Sequence, residues 1–280
     1  MNTNPGITIA VATYNRRNIL EKMVKSLYLT DIGSNTSIRI YDDASTEFDK
    51  EFLKKAFYNS KTIIRNPANL GPNKNMYRIF ADFIDCDDDI LILADSDLIF
   101  NREWLAVVER VIDHTDGVMS LYNSALHTEI LETCQINNIK MLSKKTMGGA
   151  GTVFKKDIVK TLVYDLPPRD NPYDLHWSEF FVKSGIRLLV TERSYVQHIG
   201  IHGFHCGSYL GGDLSGSLCD YGINFIAWNE YNEKIQNDFF NELLHFYTKE
   251  IENFKKIIFK PGYRKRLRSF LRNLVSGGNT

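Results

Sequence analysis

The chain has 280 residues, with 34 Lys and Arg balanced by 34 Asp and Glu, so its formal net charge is zero. Hydrophobic residues make up 43% and charged residues 24%, which suits one large soluble domain with or without a small appendage. Zero net charge excludes a dedicated nucleic-acid binder, which is basic overall.

In chain order, Ile7 to Ala12 is a continuous apolar run and reads as a buried strand. Thr13-Tyr14-Asn15-Arg16-Arg17 follows, and then Ile19, Leu20, Met23, Val24, Leu27 and Tyr28 recur at helical spacing. Ser37 to Tyr41 predicts a second strand, stopped by Asp42-Asp43-Ala44-Ser45. A helix carrying Phe52, Leu53, Ala56 and Phe57 leads to a short strand at Thr62 to Arg65. Pro67 to Pro72 is a loop by its Pro, Asn and Gly content. Met76, Ile79, Phe80, Phe83 and Ile84 mark a helix, and Ile90 to Ala94 is another buried strand, ending at Asp95-Ser96-Asp97. Trp104, Leu105, Val108, Val111 and Ile112 mark a further helix.

Strands alternating with helices predict a parallel α/β sheet. Ligands bind beyond the carboxyl ends of such strands. Thr13-Tyr14, Asp42-Asp43, Arg65-Asn66 and Asp95-Ser96-Asp97 should therefore converge on one edge.

After about residue 115 the pattern loosens. Val118 to Tyr122 predicts a strand, and Gly148-Gly149-Ala150-Gly151 precedes Thr152-Val153-Phe154 and a short helix at Lys156 to Val163. Asp174 to Ser184 reads as a helix with Gly185 as its stop, and Ile186 to Thr191 and Tyr195 to His198 read as strands. Gly200 to Gly222 is rich in glycine and has no periodicity, so it is a candidate lid. Helices resume from about Phe225.

The neutral total hides an asymmetry. Lys249 to Thr280 holds nine basic and two acidic residues, while the rest holds 25 basic and 32 acidic. The tail interleaves its charges with Ile257, Ile258, Phe259, Leu267, Phe270, Leu271 and Leu274. That pattern suits a peripheral contact with an anionic membrane surface, or a solvated terminal helix. Cys86, Cys134, Cys206 and Cys219 contain no Cys-x-x-Cys pair, which argues against a zinc ribbon or a thioredoxin site. Cys206 and Cys219 could bridge, but four scattered cysteines read more simply as reduced thiols. Met1 to Pro5 lacks the build of a signal peptide, and no apolar run reaches the roughly 20 residues that span a bilayer. The expected location is cytoplasmic, soluble or peripheral.

The turn after the first strand has no Gly-x-Gly-x-x-Gly, and the chain has no phosphate-binding Gly-x-x-x-x-Gly-Lys. Asp95-Ser96-Asp97 is more informative. Two carboxylates at the end of a buried strand are costly unless paired or metal-bound, and oxygen ligands suit Mg²⁺ or Mn²⁺ shared with substrate phosphates. A solvated Asp-containing turn is the plain alternative.

Over residues 7 to 200 the order of motifs resembles the GT-A fold glycosyltransferases of the family 2 group, which use nucleotide-diphospho-sugars. Val11-Ala12-Thr13-Tyr14-Asn15-Arg16 is similar to that group's opening strand and turn. Tyr41-Asp42-Asp43-Ala44-Ser45 is similar to its Val-Asp-Asp-Gly-Ser, with Ala44 in place of Gly. Arg65, Asn69-Leu70-Gly71 and Asn75 resemble its Asn-x-Gly stretch, and Asp95-Ser96-Asp97 its metal-binding Asp-x-Asp.

The resemblance implies a Rossmann-like α/β fold with a mixed, mostly parallel sheet flanked by helices. Residues 1–224 would form the domain, with a nucleotide-binding half at about 1–115 and an acceptor half at about 116–224. Residues 225–280 would be a basic helical extension. It implies that Thr13, Tyr14, Arg16, Asp42, Asp43, Arg65, Asn69, Asp95 and Ser96 hold the nucleotide. Which of Asp42 and Asp43 meets the base stays open. Asp97, Asp95 and His198 would hold Mn²⁺ or Mg²⁺, with His202 and His205 close by in sequence.

Glycosyl transfer needs a base near the acceptor hydroxyl. Many relatives place it as the Asp of a Glu-Asp pair with a Gly about eleven residues later. Asp174 with Gly185 fits that frame, though Tyr173 replaces the Glu and His176 stands where a second acid is common. Asp170 and Glu179 are the competing carboxylates. Gly148, Gly149, His176 and Glu179 would line the sugar or acceptor site. The implied activity is metal-dependent, inverting transfer from a UDP-linked donor to a glycan or lipid-linked acceptor in surface polysaccharide synthesis. The rivals are a catalytically impaired nucleotide-sugar binder and a sugar-phosphate nucleotidyltransferase.

Overall fold

The computed structural model describes residues 5–168, 172–200 and 220–258. One compact unit takes in the described residues of 5–200 and 220–236, and the described part of a second is 237–258, all helical.

The first unit runs β1 (Ile7–Thr13), α1 (Arg17–Tyr28), β2 (Thr36–Asp42), α2 (Lys50–Ala56), β3 (Thr62–Arg65), α3 (Pro72–Ile84), β4 (Ile90–Asp95), β5 (Leu98–Phe100) and α4 (Trp104–Val111). It continues with β6 (Val118–Ser120), β7 (Ile130–Ile136), β8 (Ile139–Lys144), β9 (Thr152–Lys155), α5 (Lys156–Asp165), α6 (Tyr173–Lys183), β10 (Leu188–Thr191) and β11 (Val196–His198). The final helix, α7 (Glu230–Ile258), starts in this unit and continues into the second.

Nine strands form one sheet in the order β3-β2-β1-β4-β9-β6-β10-β8-β7. The four at the β3 end are parallel, and β9 is antiparallel to both β4 and β6. The sheet is thus mixed, with its parallel block in the first half of the chain. β5 and β11 form a separate two-stranded ribbon.

Alternation along the parallel strands builds two cores. Ile7, Ile9 and Val11 face one side with Leu20, Leu27 and Trp104. Ala10, Tyr41, Leu91 and Leu93 face the other with Phe80, Phe154, Trp177 and Phe181. On that side Phe80, Phe154, Tyr173 and Trp177 pack with ring centroids 5.3–5.9 Å apart.

Two features lie outside the sequence-predicted elements. The β7–β8 hairpin turns at Asn137 and Asn138, both with positive φ (46° and 66°), as a tight hairpin turn requires. Its outer strand is mostly exposed on both faces, so it has no apolar alternation to read. β5 is only three residues long and follows Asp97 directly. Helix α7 begins at Glu230, five residues after the expected Phe225. Cys86 and Cys134 are free thiols, while Cys206 and Cys219 lie outside the described residues. So do Asp170, His202, His205, most of the glycine-rich stretch and the basic tail beyond 258. No helix among the described residues is long and apolar enough to cross a membrane.

Candidate active site

Strand register builds the site. Thr13 is level with Asp42 and Asp42 with Arg65, while Ala12 is level with Asp95. The four polar strand ends therefore share one edge, as the sequence predicted.

At that edge Asp42 is fully buried and forms an ion pair with Arg65 (3.3 Å). Its other oxygen accepts hydrogen bonds from the Ser45 amide (3.1 Å) and the Ser45 hydroxyl (2.5 Å). Arg65 also donates to the Phe48 carbonyl (3.0 Å) and the Ser45 carbonyl. Ala44 carries φ 63°, the left-handed position that a Gly would fill more easily.

Asp43 is tied differently. It accepts from Asn66 Nδ2 (2.7 Å), the Leu70 amide (2.8 Å) and the Gly71 amide (2.9 Å), while its own amide donates to the Thr13 carbonyl (2.9 Å). One residue thus joins the ends of β1, β2 and β3 to the turn before α3. Asn69 belongs to the same turn, where its side chain accepts from the Gly71 amide (3.0 Å). Replacing Asp43 by Ala removes three hydrogen bonds, although Asn66 Nδ2 keeps Asn75 Oδ1 and the Gly71 amide keeps Asn69 Oδ1, and should cost about 1–3 kcal/mol. Denaturant unfolding would read this directly, and a loss below about 0.5 kcal/mol would overturn the assignment.

Beyond β4 the carboxylates of Asp95 and Asp97 follow. Asp97 is 2% exposed. Its Oδ2 accepts from Arg16 Nη1 (2.8 Å) and His198 Nε2 (3.1 Å), whereas its Oδ1 is buried with no hydrogen-bond partner. Burial pushes the Asp97 carboxyl up, but His198 and Arg16 outweigh it and hold the group below the usual carboxylate range. Burial and then the Asp97 charge push Asp95 up. Ser96 is buried, and its amide donates to the Ala12 carbonyl (3.1 Å). The β5–β11 ribbon places His198 here by pairing it with Leu98, and Gly200 closes over the pair. A Cβ at Gly200 would collide with Asp97 Oδ2 and stand 2.8 Å from Arg16 Nη1. Tyr14, 44% exposed, offers an open ring face at the same edge.

Residues 8–133 match the sequence profile of glycosyl transferase family 2. The first part of the chain is thus similar to glycosyl transferase family 2. Among curated proteins it is 27% identical over 168 residues to the GalNAc(5)-diNAcBac-PP-undecaprenol beta-1,3-glucosyltransferase of Campylobacter jejuni, covering 56% of this chain and 53% of that one. The chain thus matches about half the length of this curated relative. Among solved structures it is similar to a mannosyltransferase from Pyrobaculum calidifontis in complex with GDP-Man and Mn²⁺ (TM-score 0.54, 17% identity). That match covers 73% of this chain and 60% of the other. It is also similar to S. aureus TarS residues 1–349 in complex with UDP-GlcNAc (TM-score 0.51, 16% identity), covering 68% of this chain and 57% of that one. These likenesses show the GT-A fold.

A second bank of residues lies on α6 and the loops beside it. Asp174 lies in the first turn of α6, where its Oδ1 accepts the Leu175 amide (2.8 Å). Burial pushes the Asp174 carboxyl up, offset in part by backbone amides and by His127. Tyr173 is a core residue, 1% exposed, whose hydroxyl donates to the Leu166 carbonyl (2.8 Å). Glu179 is exposed and pairs with Lys183 (3.8 Å) on the outside of the helix. His176 is partly buried and packs edgewise near Tyr173.

Gly148 and Gly149 let the backbone come close. A Cβ at Gly148 would stand 3.5 Å from His127 Nε2 and 3.8 Å from Asp174 Oδ2, and one at Gly149 would stand 2.9 Å from Met76 Cε.

Three residues here escaped sequence reading. His127 reaches the Asp174 side of Gly148, with its Nδ1 bonded to the Thr146 hydroxyl (2.8 Å). Lys144 is buried, and its ammonium donates to Asn123 Oδ1 (2.5 Å), the Ser124 carbonyl (3.4 Å) and the His127 carbonyl (2.6 Å). Asp220 acts on His127, Lys144 and His198 through its charge, and its Oδ1 is buried without a hydrogen-bond partner. Backbone bonds from the Ala125 amide to the Tyr221 carbonyl (3.0 Å) and from the Ile223 amide to the Asn123 carbonyl (2.8 Å) fix its segment. The one available signal for Asp220 was an acidic residue closing a glycine-rich stretch. His127 had none, since it sits on a turn outside any periodic element.

Proposed function

We propose that this chain is an inverting glycosyltransferase. It moves a sugar from a UDP-linked donor to a hydroxyl of a glycan or lipid-linked acceptor. The observation that carries the reading is the Asp97 carboxylate, buried just past β4 with one oxygen unpartnered among the described residues, and a second carboxylate, the half-buried Asp174, in the acceptor half. The match of residues 8–133 to the family 2 profile and the lipid-linked acceptor in the name of the Campylobacter relative support it.

In this reading Tyr14 covers the base, Thr13 and Asp42 with Arg65 face the nucleoside, and Asp43 and Asn69 hold the loop behind them. Asp95 and Ser96 lie nearer the ribose. Carboxylate oxygens and an imidazole nitrogen are donors that suit Mn²⁺ or Mg²⁺, but among the described residues no three such side chains are already gathered around one point, so the diphosphate would have to complete the shell. Asp97, Asp95 and His198 would hold that ion, and it would supply charge stabilisation to the departing diphosphate.

The chain's own residues do the rest. Gly148 and Gly149 admit the sugar against the backbone, beside His176, while exposed Glu179 sits at the rim. Asp174 takes the proton of the acceptor hydroxyl as its oxygen bonds to the sugar C1. The bond from C1 to the diphosphate oxygen breaks with its electron pair going to that oxygen. Single displacement inverts the anomeric carbon. The raised Asp174 carboxyl suits this task, because a base closer to neutrality takes a proton more readily.

A nucleotide-sugar binder without catalysis is the second reading, motivated by Tyr173 in place of the Glu of the family pair. The burial of Tyr173 favours the enzyme, since that position serves the core. A basic tail at an anionic membrane face would bring the enzyme to a lipid-linked acceptor. A screen of nucleotide-sugars for Mn²⁺-dependent hydrolysis tests the donor class, and NMR of the product anomer tests inversion. No turnover with any donor, together with intact UDP binding, would select the binder instead.

A further inference from the structure

Arg16 holds the carboxylate that a divalent ion would need. It precedes α1 in the left-handed region (φ 55°), and Asn15 before it is left-handed too (φ 52°). Two consecutive side-chain-bearing residues rarely adopt this conformation unless their surroundings impose it.

The imposing contacts come from the β2–α2 loop. The Asn15 amide donates to Ser45 Oγ (2.8 Å). Asn15 Oδ1 accepts from the amides of Thr46 (2.7 Å) and Glu47 (3.1 Å), and the Arg17 amide donates to Glu47 Oε2 (3.0 Å). The turn therefore aims the Arg16 guanidinium at Asp97, where Nη1 lies 2.8 Å from Oδ2. Gly200 covers both groups and leaves no space for a side chain.

We propose that Arg16 is a placeholder cation: it neutralises Asp97 while the site lacks a divalent ion, and releases it to the ion when the donor diphosphate arrives. The inference rests on the metal reading above. A carboxylate this buried needs countercharge when no divalent ion is bound, and the guanidinium supplies it together with His198. A divalent ion on the same carboxylate would face that guanidinium at close range and be repelled. The diphosphate, with negative charge for both cations, removes the conflict. Ion and nucleotide thus bind with positive coupling, and Arg16 is the reason that the ion alone binds weakly.

The experiment measures Mn²⁺ binding to the full chain by the electron paramagnetic resonance of free Mn²⁺, alone and with UDP or GDP. For the unmodified chain, weak binding alone and clearly tighter binding with nucleotide are expected. Arg16→Gln should bind Mn²⁺ alone about 10-fold tighter, and the enhancement by nucleotide should shrink by a similar factor. Arg16→Lys keeps the charge and should keep the coupling, and Arg16→Met replaces Arg16→Gln if that variant does not fold. Equal Mn²⁺ affinity of the neutral variant and the unmodified chain, with nucleotide enhancement intact, would overturn the inference but leave the metal reading standing. No Mn²⁺ binding by the unmodified chain, even with nucleotide, would end both.

Discussion

Asp97→Ala is expected to lower sugar transfer by about 10³-fold or more, because the charge that anchors the diphosphate end of the site is lost. It should also abolish the Mn²⁺ dependence of nucleotide binding in calorimetry. The substitution leaves Arg16 and His198 without their shared partner, so Asp97→Asn, which keeps the shape, serves as the control for folding. Undiminished, metal-independent nucleotide binding by a folded Asp97→Asn would remove the metal from the mechanism.

Asp174→Asn is expected to lower kcat by about 10²–10⁴-fold while nucleotide affinity stays within about twofold. The two effects should separate because the proposed role of Asp174 is toward the acceptor hydroxyl and not the nucleotide, although its charge also reaches Asp95. The pH dependence has a definite sign. Burial raises the Asp174 carboxyl above the ordinary Asp value, and a base must be ionised to act. Activity should therefore be full well above that raised value and fall as the pH drops through it. The acid limb of kcat/KM should lie above the ordinary Asp range and vanish in the variant. Full activity of Asp174→Asn would move the base to another residue.

The parallel half of the fold was legible because its strands are buried on both faces and read as apolar runs. Ile7 to Ala12 and Ile90 to Ala94 are the clear cases, each ending in polar residues. Register then brought Thr13, Asp42, Arg65 and Asp95 level without further information. The antiparallel half was harder. β7 is exposed on both faces, so its composition carries no period, and its hairpin is marked only by Asn137-Asn138. Asp97 could be picked out by spacing, but its pairing with Arg16 could not, because it depends on two left-handed residues held by a loop thirty positions away. His127, Lys144 and Asp220 meet only through tertiary contacts.

The Asp43 carboxylate ties the ends of β2 and β3 to the turn before α3, and its amide ties them to β1, through hydrogen bonds of 2.7–2.9 Å. This makes the amides of Leu70 and Gly71, on an otherwise accessible turn, slow to exchange with solvent hydrogen. It also means that the loops proposed to face the nucleotide are already tied together without a ligand. Association at this edge then loses little conformational entropy, and the binding free energy saved remains for the sugar end, where the chemistry takes place.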